Sequence, residues 1–569
     1  MKRDTDRLSS ETFDVLVIGG GIYGATTARA AALRGLKVAL IEQGDFGQGT
    51  SANSLKVIHG GLRYLQHLNL KRMRESIVAR RRLLRLAPHL VQPQAFVLPT
   101  YGYGIHSRLL MSAVLLVNDL IAWDRNVAVY PRRHIPVGRI LSRRECLDIM
   151  PGIDGHRLTG GAQWYDCVVS DTERLTLLFV VAANELGACA ANYVRANKYL
   201  VSEHEVNGAQ VMDCLNGRVF DVHARLVVNT AGPWEGQLLQ TLPGGGTAGA
   251  IRGWARAMNI VVDRPIFGNY AVGIMGSQKF VDEDAVMNKG SRYFFFVPWR
   301  GGTLIGTDYE AYEGYPGNCS LKPENIAAIV NEVNRIYPAA SLSEDEVSFS
   351  HAGLLPMKSR REAGDGNVEL TKNEQILDLE STRAIKGIIS VTGVKYTTAV
   401  QVADNVVDMA MAKLGYSQKR AIPDPPLAGG DELLDIPSER EALQWSKGGD
   451  GATTGNGSRL VAHLMQRYGT LYRRVLQYAS EEPAFGLALG KGHETIAAEV
   501  VYAVQHEMAC TLSDVILRRT GLGSQAYPGK EAIRKCASIM AQELGWSERR
   551  ISEEISAVDL VYNDYSHAW

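Results

Sequence analysis

DVLVIGGGIYGATTARAAALRGLKVALIE, residues Asp14–Glu42, is the stretch whose reading decides the fold. An apolar run of strand length (Val15–Ile18) breaks at Gly19-Gly20-Gly21 and passes into an alanine-rich helix. A second apolar run, Lys37–Ile41, follows and ends in Glu42. Gly19, Gly21 and Gly24 thus spell G-x-G-x-x-G between a strand and a helix, with an acid 18 positions beyond Gly24. Gly19 suits the tight turn, Gly21 the close approach of backbone N–H groups to a pyrophosphate, and Gly24 close packing of helix on strand. The helix N-terminus supplies partial positive charge, and the Glu42 carboxylate suits the hydroxyls of an adenosine ribose. The stretch predicts a bound dinucleotide.

Outward from this unit, 569 residues predict two or three domains. Lys+Arg and Asp+Glu both number 61, so no global field draws the chain to nucleic acid, and anion binding must be local. The seven cysteines are scattered with no C-x-x-C pair, which predicts neither a disulfide framework nor a metal site and fits a reducing cytosol. MKRDTDRLSSETFD lacks the apolar centre of a signal peptide. The apolar run Leu109–Trp123 is interrupted by Asn118 and Asp119 and is too short to span a bilayer. It reads as a buried helix, with an apolar patch facing a membrane as the alternative. Lys71–Arg85 carries seven basic residues on a predicted helix, read as a solvated face, with contact to anionic lipid or an acidic partner as the sharper alternative. A cytoplasmic protein, at most peripheral on the membrane face, is expected; the oligomeric state is open.

After Glu42, the Gly/Ser/Thr-rich stretch Gln43–Leu65 reads as an ordered loop where a crevice beyond the strand ends holds ligands. It carries His59, Arg63 and Tyr64. GGGIYGA, TSANSLKVIHGGLRYL and LAPHL together resemble the FAD-dependent glycerol-3-phosphate dehydrogenase family, within the D-amino-acid-oxidase-like flavoproteins. Further matches follow in order: WYDCVVSDTERLTLL (164–178), NTAGPW (229–234), FFFVPWRGGTLIGTDYE (294–310), GIISVTGVKYTTAV (387–400) and QHEMACTLSDVILRRTGLG (505–523). The resemblance covers roughly residues 12–545.

It implies an α/β protein. A Rossmann-like FAD-binding domain spans 12–250 and 357–420, a β-rich substrate domain 251–356, and a helical C-terminal cap domain 430–569. Helices are expected at Arg459–Ala479, Thr495–Arg519, Gly529–Leu544 and Glu548–Asp564, with an irregular loop over Lys447–Ser458. FAD contacts fall on Gly19, Gly21, Gly24, Glu42, Thr50, Ser51, Ser54, Lys56, Ala231, Gly232, Trp234, Gly393, Lys395 and Thr397. Asp171 opens a helix and reads as its N-cap.

Oxidising an alcohol needs a hydride acceptor, which FAD provides at N5, a base for the hydroxyl proton, and positive charge near the developing alkoxide. His59, with an ordinary pKa near neutral, is the candidate base. Arg63 and Lys395 are the candidate cations. Substrate contacts are read at Arg63, Tyr64, Lys372, Lys395 and Asn259. The implied reaction takes sn-glycerol 3-phosphate to its ketone and passes electrons to quinone or another acceptor.

Two departures stand against that substrate. Leu355 occupies a position where the family carries a phosphate-binding arginine, and Asn259 one where it carries histidine. A charged hydrogen bond contributes about 1.5–3 kcal/mol, so losing one weakens binding roughly 10- to 150-fold. Lys358, Arg360 and Arg361 are candidates to compensate. The alternative is a divergent paralogue acting on a non-phosphorylated hydroxy or amino substrate. No second nucleotide fingerprint is present to suggest an NADPH-dependent monooxygenase.

Overall fold

The computed structural model describes residues 1–102, 107–245, 253–279, 291–360, 368–416, 424–432, 457–490 and 493–562. The strand Thr12–Ile18 runs through the middle of the first sheet. It pairs in parallel with Val38–Ile41 on one side and with Val219–Asn229 on the other. Ile388–Thr392 and Cys189–Ala191 extend the parallel set, and Gln375–Asp378 closes one edge antiparallel. Strands buried on both faces require near-continuous apolar runs, and Val38–Ile41 is buried at every position. Chain order reverses on either side of Thr12–Ile18, and the crevice at such a switch point, beyond the carboxyl ends of the strands, is where ligands bind.

A second sheet is mainly antiparallel and has Trp254–Val262, Ser291–Trp299, Gly302–Tyr312 and Val347–Arg360 at its centre. It does not follow the expected boundaries of 251–356. Val57–Ile58, Val91–Tyr101, Arg139–Leu141 and Leu158–Val169, all assigned from sequence to the FAD-binding segment, pair within it. Alternation along Val91–Tyr101 is broken by Pro93 and Pro99, which hid an eleven-residue strand.

The C-terminal part is helical, with breaks the sequence reading did not place. The expected helix Arg459–Ala479 is two, Gly457–Tyr468 and Tyr472–Glu481, because Gly469 adopts a positive φ against Gly429. A Cβ on Gly469 would lie 1.8 Å from the Gly429 carbonyl oxygen. Thr495–Arg519 likewise divides at Met508, which is left-handed, into Ala497–Glu507 and a π-helical turn Asp514–Arg519. The last two helices are Lys530–Leu544 and Glu548–Tyr562. Of the expected loop Lys447–Ser458, residues 447–456 lie outside the described residues, and Gly457 already begins a helix.

Buried ion pairs stitch these helices to the rest. Arg519 donates two hydrogen bonds to Asp45, at 2.7 and 2.8 Å, and Arg518 a third at 2.6 Å. Arg174 reaches Glu507 at 2.8 Å. Asp171 does sit at the N-cap position of Thr172–Glu185, but its side chain makes no capping bond. Instead it accepts from Arg467 at 2.9 Å and from Arg300, joining the first sheet's helices, the second sheet and the C-terminal helices.

The basic helix, Leu70–Leu86, is not a solvated face. Arg80 is buried against Asp166, Arg82 pairs with Asp404 and Asp424, and Arg74 and Arg81 converge on Asp124. Lys71 and Arg85 are exposed. Intramolecular carboxylates, distant in sequence, consume most of the charge offered to lipid in the sharper reading.

The apolar helix, Arg108–Ile121, is the converse. Read as buried, it leaves Leu109 85 %, Leu116 62 % and Leu120 64 % exposed, with Trp123 beyond it at 77 %. Its opposite side, Leu110, Met111 and Val114, lines the main cavity. No helix among the described residues is long and apolar enough to cross a membrane.

Candidate active site

One cavity of about 1760 Å³ runs from the glycine turn of the first sheet to the face of the second. That exceeds the usual 300–1,000 Å³ of a small-molecule site and suits a dinucleotide with a substrate beside it. Gly19, Gly21, Glu42, Thr50, Ser51, Ser54, Ala231, Gly232, Trp234, Gly393 and Thr397 all line it. Gly24 does not line it but does the packing work: a Cβ there would lie 1.8 Å from the Gly19 carbonyl oxygen. Gly19 itself has φ 104°, in the left-handed half of the map that glycine tolerates. The Glu42 carboxylate accepts from the Gly20 N–H at 2.6 Å and the Gly44 N–H at 2.9 Å. Burial raises its pKa. The indole N–H of Trp234 is buried without a partner. A glycine cradle that admits no side chain, a helix N-terminus behind it and an orphaned donor opposite fit a flavin dinucleotide.

Lys56 departs from its expected role. Its ammonium is buried and committed to Glu173 at 2.7 Å, with Ala52 O and Thr172 Oγ1 at 2.7 and 3.0 Å. Its ammonium holds the loop in shape, while the residue also lines the cavity. Asn259, read as a substrate contact, lines the cavity, and its Oδ1 accepts from Thr307 Oγ1 at 2.8 Å. Lys358, a candidate to compensate for Leu355, pairs with Glu369 at 3.0 Å. The side chain of Arg360 and all of Arg361 lie outside the described residues.

His59, Arg63, Tyr64, Lys372 and Lys395 are brought together at one end of the cavity. The His59 and Tyr64 rings lie 6.0 Å apart. Around Tyr64 stand Lys395 Nζ, 4.3 Å from the ring centroid, and the Arg63 guanidinium carbon at 5.5 Å. Lys372 Nζ is 3.4 Å from His67 Nε2. Burial, then the Arg63 and Lys395 charges, hold the His59 imidazole well below its ordinary 6.5. The ring is therefore neutral, and its Nδ1 is buried with no hydrogen-bond partner. Burial also lowers the Lys395 ammonium. For Tyr64, burial favours the phenol, but Arg63 and Lys395 outweigh it and the net shift is downward.

Three residues that the sequence reading missed hold this end together. Tyr23, on the helix Ile22–Leu33, donates its hydroxyl to the Lys395 carbonyl at 2.7 Å and accepts from the N–H groups of Val394 and Lys395 at 3.2 Å. It pins the Gly393–Lys395 turn, where a Cβ on Gly393 would strike the Tyr23 ring at 2.0 Å. Asp166 accepts from the Gly60 N–H, from Arg80 and, at 2.9 Å, from Trp164 Nε1, fixing the turn behind His59. Arg72 also lines the cavity. Tyr23 stood inside the glycine fingerprint and Asp166 inside a matched motif, but Tyr23 meets Lys395 372 residues on, and Asp166 meets Gly60 106 residues back.

The FAD dependent oxidoreductase family (DAO) matches residues 14–399, and the C-terminal domain of alpha-glycerophosphate oxidase matches residues 424–551. A protein of Synechocystis sp. named glycerol-3-phosphate dehydrogenase is 31 % identical over 99 % of this chain and 98 % of its own length. Glycerol-3-phosphate dehydrogenase 2 of Mycobacterium tuberculosis is 30 % identical over 97 % of this chain and 88 % of its own. The solved structure of the glycerol-3-phosphate dehydrogenase from Bacillus halodurans complexed with FAD shares the fold. It has a TM-score of 0.72 and 24 % identity, covering 99 % of this chain and 97 % of that one. With the glycine cradle and the cavity already in place, these likenesses make the chain an FAD-dependent oxidoreductase that belongs to the glycerol-3-phosphate dehydrogenase family.

Proposed function

We propose that this protein oxidises the secondary alcohol of sn-glycerol 3-phosphate, or of a related polyol phosphate, to the ketone. FAD, when bound, supplies the hydride acceptor. Neutral His59 takes the hydroxyl proton, and Arg63 and Lys395 stabilise the negative charge that develops on the oxygen. The observation that carries the reading is the imbalance of charge on the cavity wall. Arg63, Lys372 and Lys395 line it, whereas the lining carboxylates Glu42, Asp166, Glu173 and Glu369 are each engaged by backbone N–H groups or by other cations. Such a site favours an anionic substrate. Anaerobic mixing with glycerol 3-phosphate tests it: bleaching of the flavin absorbance is expected. Bleaching only by a carboxylate or amine donor would favour the second reading, for which the apolar Leu355 on the cavity wall speaks.

If the contact absent at Leu355 limits binding, Leu355→Arg lowers the KM for glycerol 3-phosphate. Steady-state kinetics at fixed acceptor concentration checks this, and an unchanged KM would remove Leu355 from the anion site.

The reduced flavin must pass its electrons on, and we place the acceptor, quinone or another carrier, on the membrane side. The helix Arg108–Ile121 exposes Leu109, Leu116 and Leu120, while its Val114 and Ile121 pack on the cluster of Leu65, Met73, Ile77 and Ala122; Leu68 and Leu70, close in sequence to that cluster, are 62 % and 49 % exposed. Apolar side chains on a surface helix of this kind bury into the headgroup boundary. Vesicle co-sedimentation is expected to fall several-fold for Trp123→Ser with Leu120→Ser. Equal sedimentation of variant and parent would sink the assignment.

A further inference from the structure

The basic helix contributes one residue that intramolecular pairing does not explain. Arg72 lies in the first turn of Leu70–Leu86, whose N-cap Asn69 accepts from its backbone N–H at 3.1 Å. Its side chain turns to the cavity, which it lines, and its guanidinium carbon stands 5.2 Å from the Tyr64 ring centroid. Arg72 Nη2 is buried and has no hydrogen-bond partner. A buried guanidinium N–H left unpaired costs free energy and calls for an acceptor. Of its six basic helix-mates, Arg74, Arg80, Arg81 and Arg82 have carboxylates, and Lys71 and Arg85 are exposed to solvent.

Three cations therefore surround one aromatic ring: Lys395 at 4.3 Å, Arg72 at 5.2 Å and Arg63 at 5.5 Å from its centroid. The Thr371 hydroxyl, also lining the cavity, is buried without a partner. Like charges held close in a partly water-excluded site repel, and an anion relieves them in proportion to its charge. A carboxylate offers one unit and two oxygens in a plane, enough for one guanidinium fork. A phosphate monoester offers close to two units, with acceptor oxygens pointing in several directions.

We infer that Arg72 is a specificity-determining residue that grips the phosphate of the substrate, supplying from the helix Leu70–Leu86 the guanidinium that Leu355 does not supply from the second sheet. The inference rests on the proposed oxidation of a phosphorylated polyol. It assigns the anion site to the helical wall of the cavity, so that substrate enters with its phosphate against Arg72 and its alcohol toward His59.

Arg72→Met and Arg72→Lys in the FAD-loaded enzyme test it by two readouts. Arg72→Met is expected to raise the KM for glycerol 3-phosphate about 10- to 150-fold, with kcat changed far less, and Arg72→Lys to recover part of the loss. The preference for glycerol 3-phosphate over glycerol falls by the same factor. A merely structural role would lower both donors alike, and that result, or an unaltered KM, overturns the inference. Titration of the oxidised enzyme with inorganic phosphate, followed by the flavin spectrum, separates this inference from the reading beneath it. Phosphate binding weakened by Arg72→Met in an enzyme that glycerol 3-phosphate does not reduce would retain Arg72 as the anion residue and discard the substrate. Phosphate affinity equal in parent and both variants would discard Arg72.

Discussion

His59→Asn is expected to slow flavin reduction by glycerol 3-phosphate about 10²- to 10⁴-fold, the usual worth of a positioned general base. Stopped-flow reduction under anaerobic conditions measures it at saturating substrate, so that binding does not enter. Asparagine keeps much of the shape but cannot take the proton. The backbone contact of this position, His59 N–H to Thr397 Oγ1 at 3.3 Å, is available to either residue. The pH profile supplies a second, independent readout. Burial and the neighbouring Arg63 and Lys395 charges depress the imidazole below 6.5, so the neutral, proton-accepting form persists as pH falls past that value. The plateau of kcat/KM is therefore expected to extend below pH 6.5 before its acid limb begins. A reduction rate untouched by the substitution would strip His59 of its role.

Asp45→Asn carries the largest expected loss of stability. Asp45 is fully buried in the loop just after Glu42, and it holds both Arg518 and Arg519 of the C-terminal part. Arg518 retains Asp514 at 2.7 Å in the variant, but Arg519 has no second ion-paired carboxylate among the described residues. Removing one member of a buried ion pair costs about 3–5 kcal/mol. Urea denaturation, monitored by flavin release, is expected to begin at lower denaturant than in the parent. The arginines hold the Asp45 carboxyl well below its ordinary value despite burial. A carboxylate depressed by folding adds stability above its unfolded pKa of about 3.9 and loses it as pH falls through the folded value. The parent should thus keep this clamp down to strongly acid conditions. A parent that lost it near neutral pH would contradict the assignment.

The nucleotide half of this molecule was legible because its constraints are local. A glycine fingerprint, two flanking strands and a terminal acid lie within thirty residues, and each glycine answers to a steric demand visible in the fold. The NTAGPW and GVKYTT turns were legible for the same reason. Partnerships across the chain were not. Nothing in KRMRESIVARRRLLR announces that Arg80 meets Asp166 or that Arg82 meets Asp424, 342 residues on. Charge runs read as solvated faces by default, and only tertiary pairing overrides that. Leu109–Trp123 failed in the opposite direction, because apolar composition says that a surface wants cover without saying what covers it. At the candidate site, the residue types at His59, Arg63 and Lys395 were readable, while Tyr23 and Arg72 became visible only once the helices that carry them were set against the cavity.

The helix Arg108–Ile121 is at once outer skin and inner wall, with Leu116 and Leu120 facing outward and Met111 and Val114 facing the cavity. A single helix is about 10 Å across, so the two environments are separated by one backbone. An external contact that shifts that backbone alters the affinity of an interior occupant only as far as the occupant favours one position over the other, and that coupling is equal in both directions. If the proposed membrane contact is made, tighter adhesion in the presence of substrate and tighter substrate retention upon adhesion are one quantity measured from two sides.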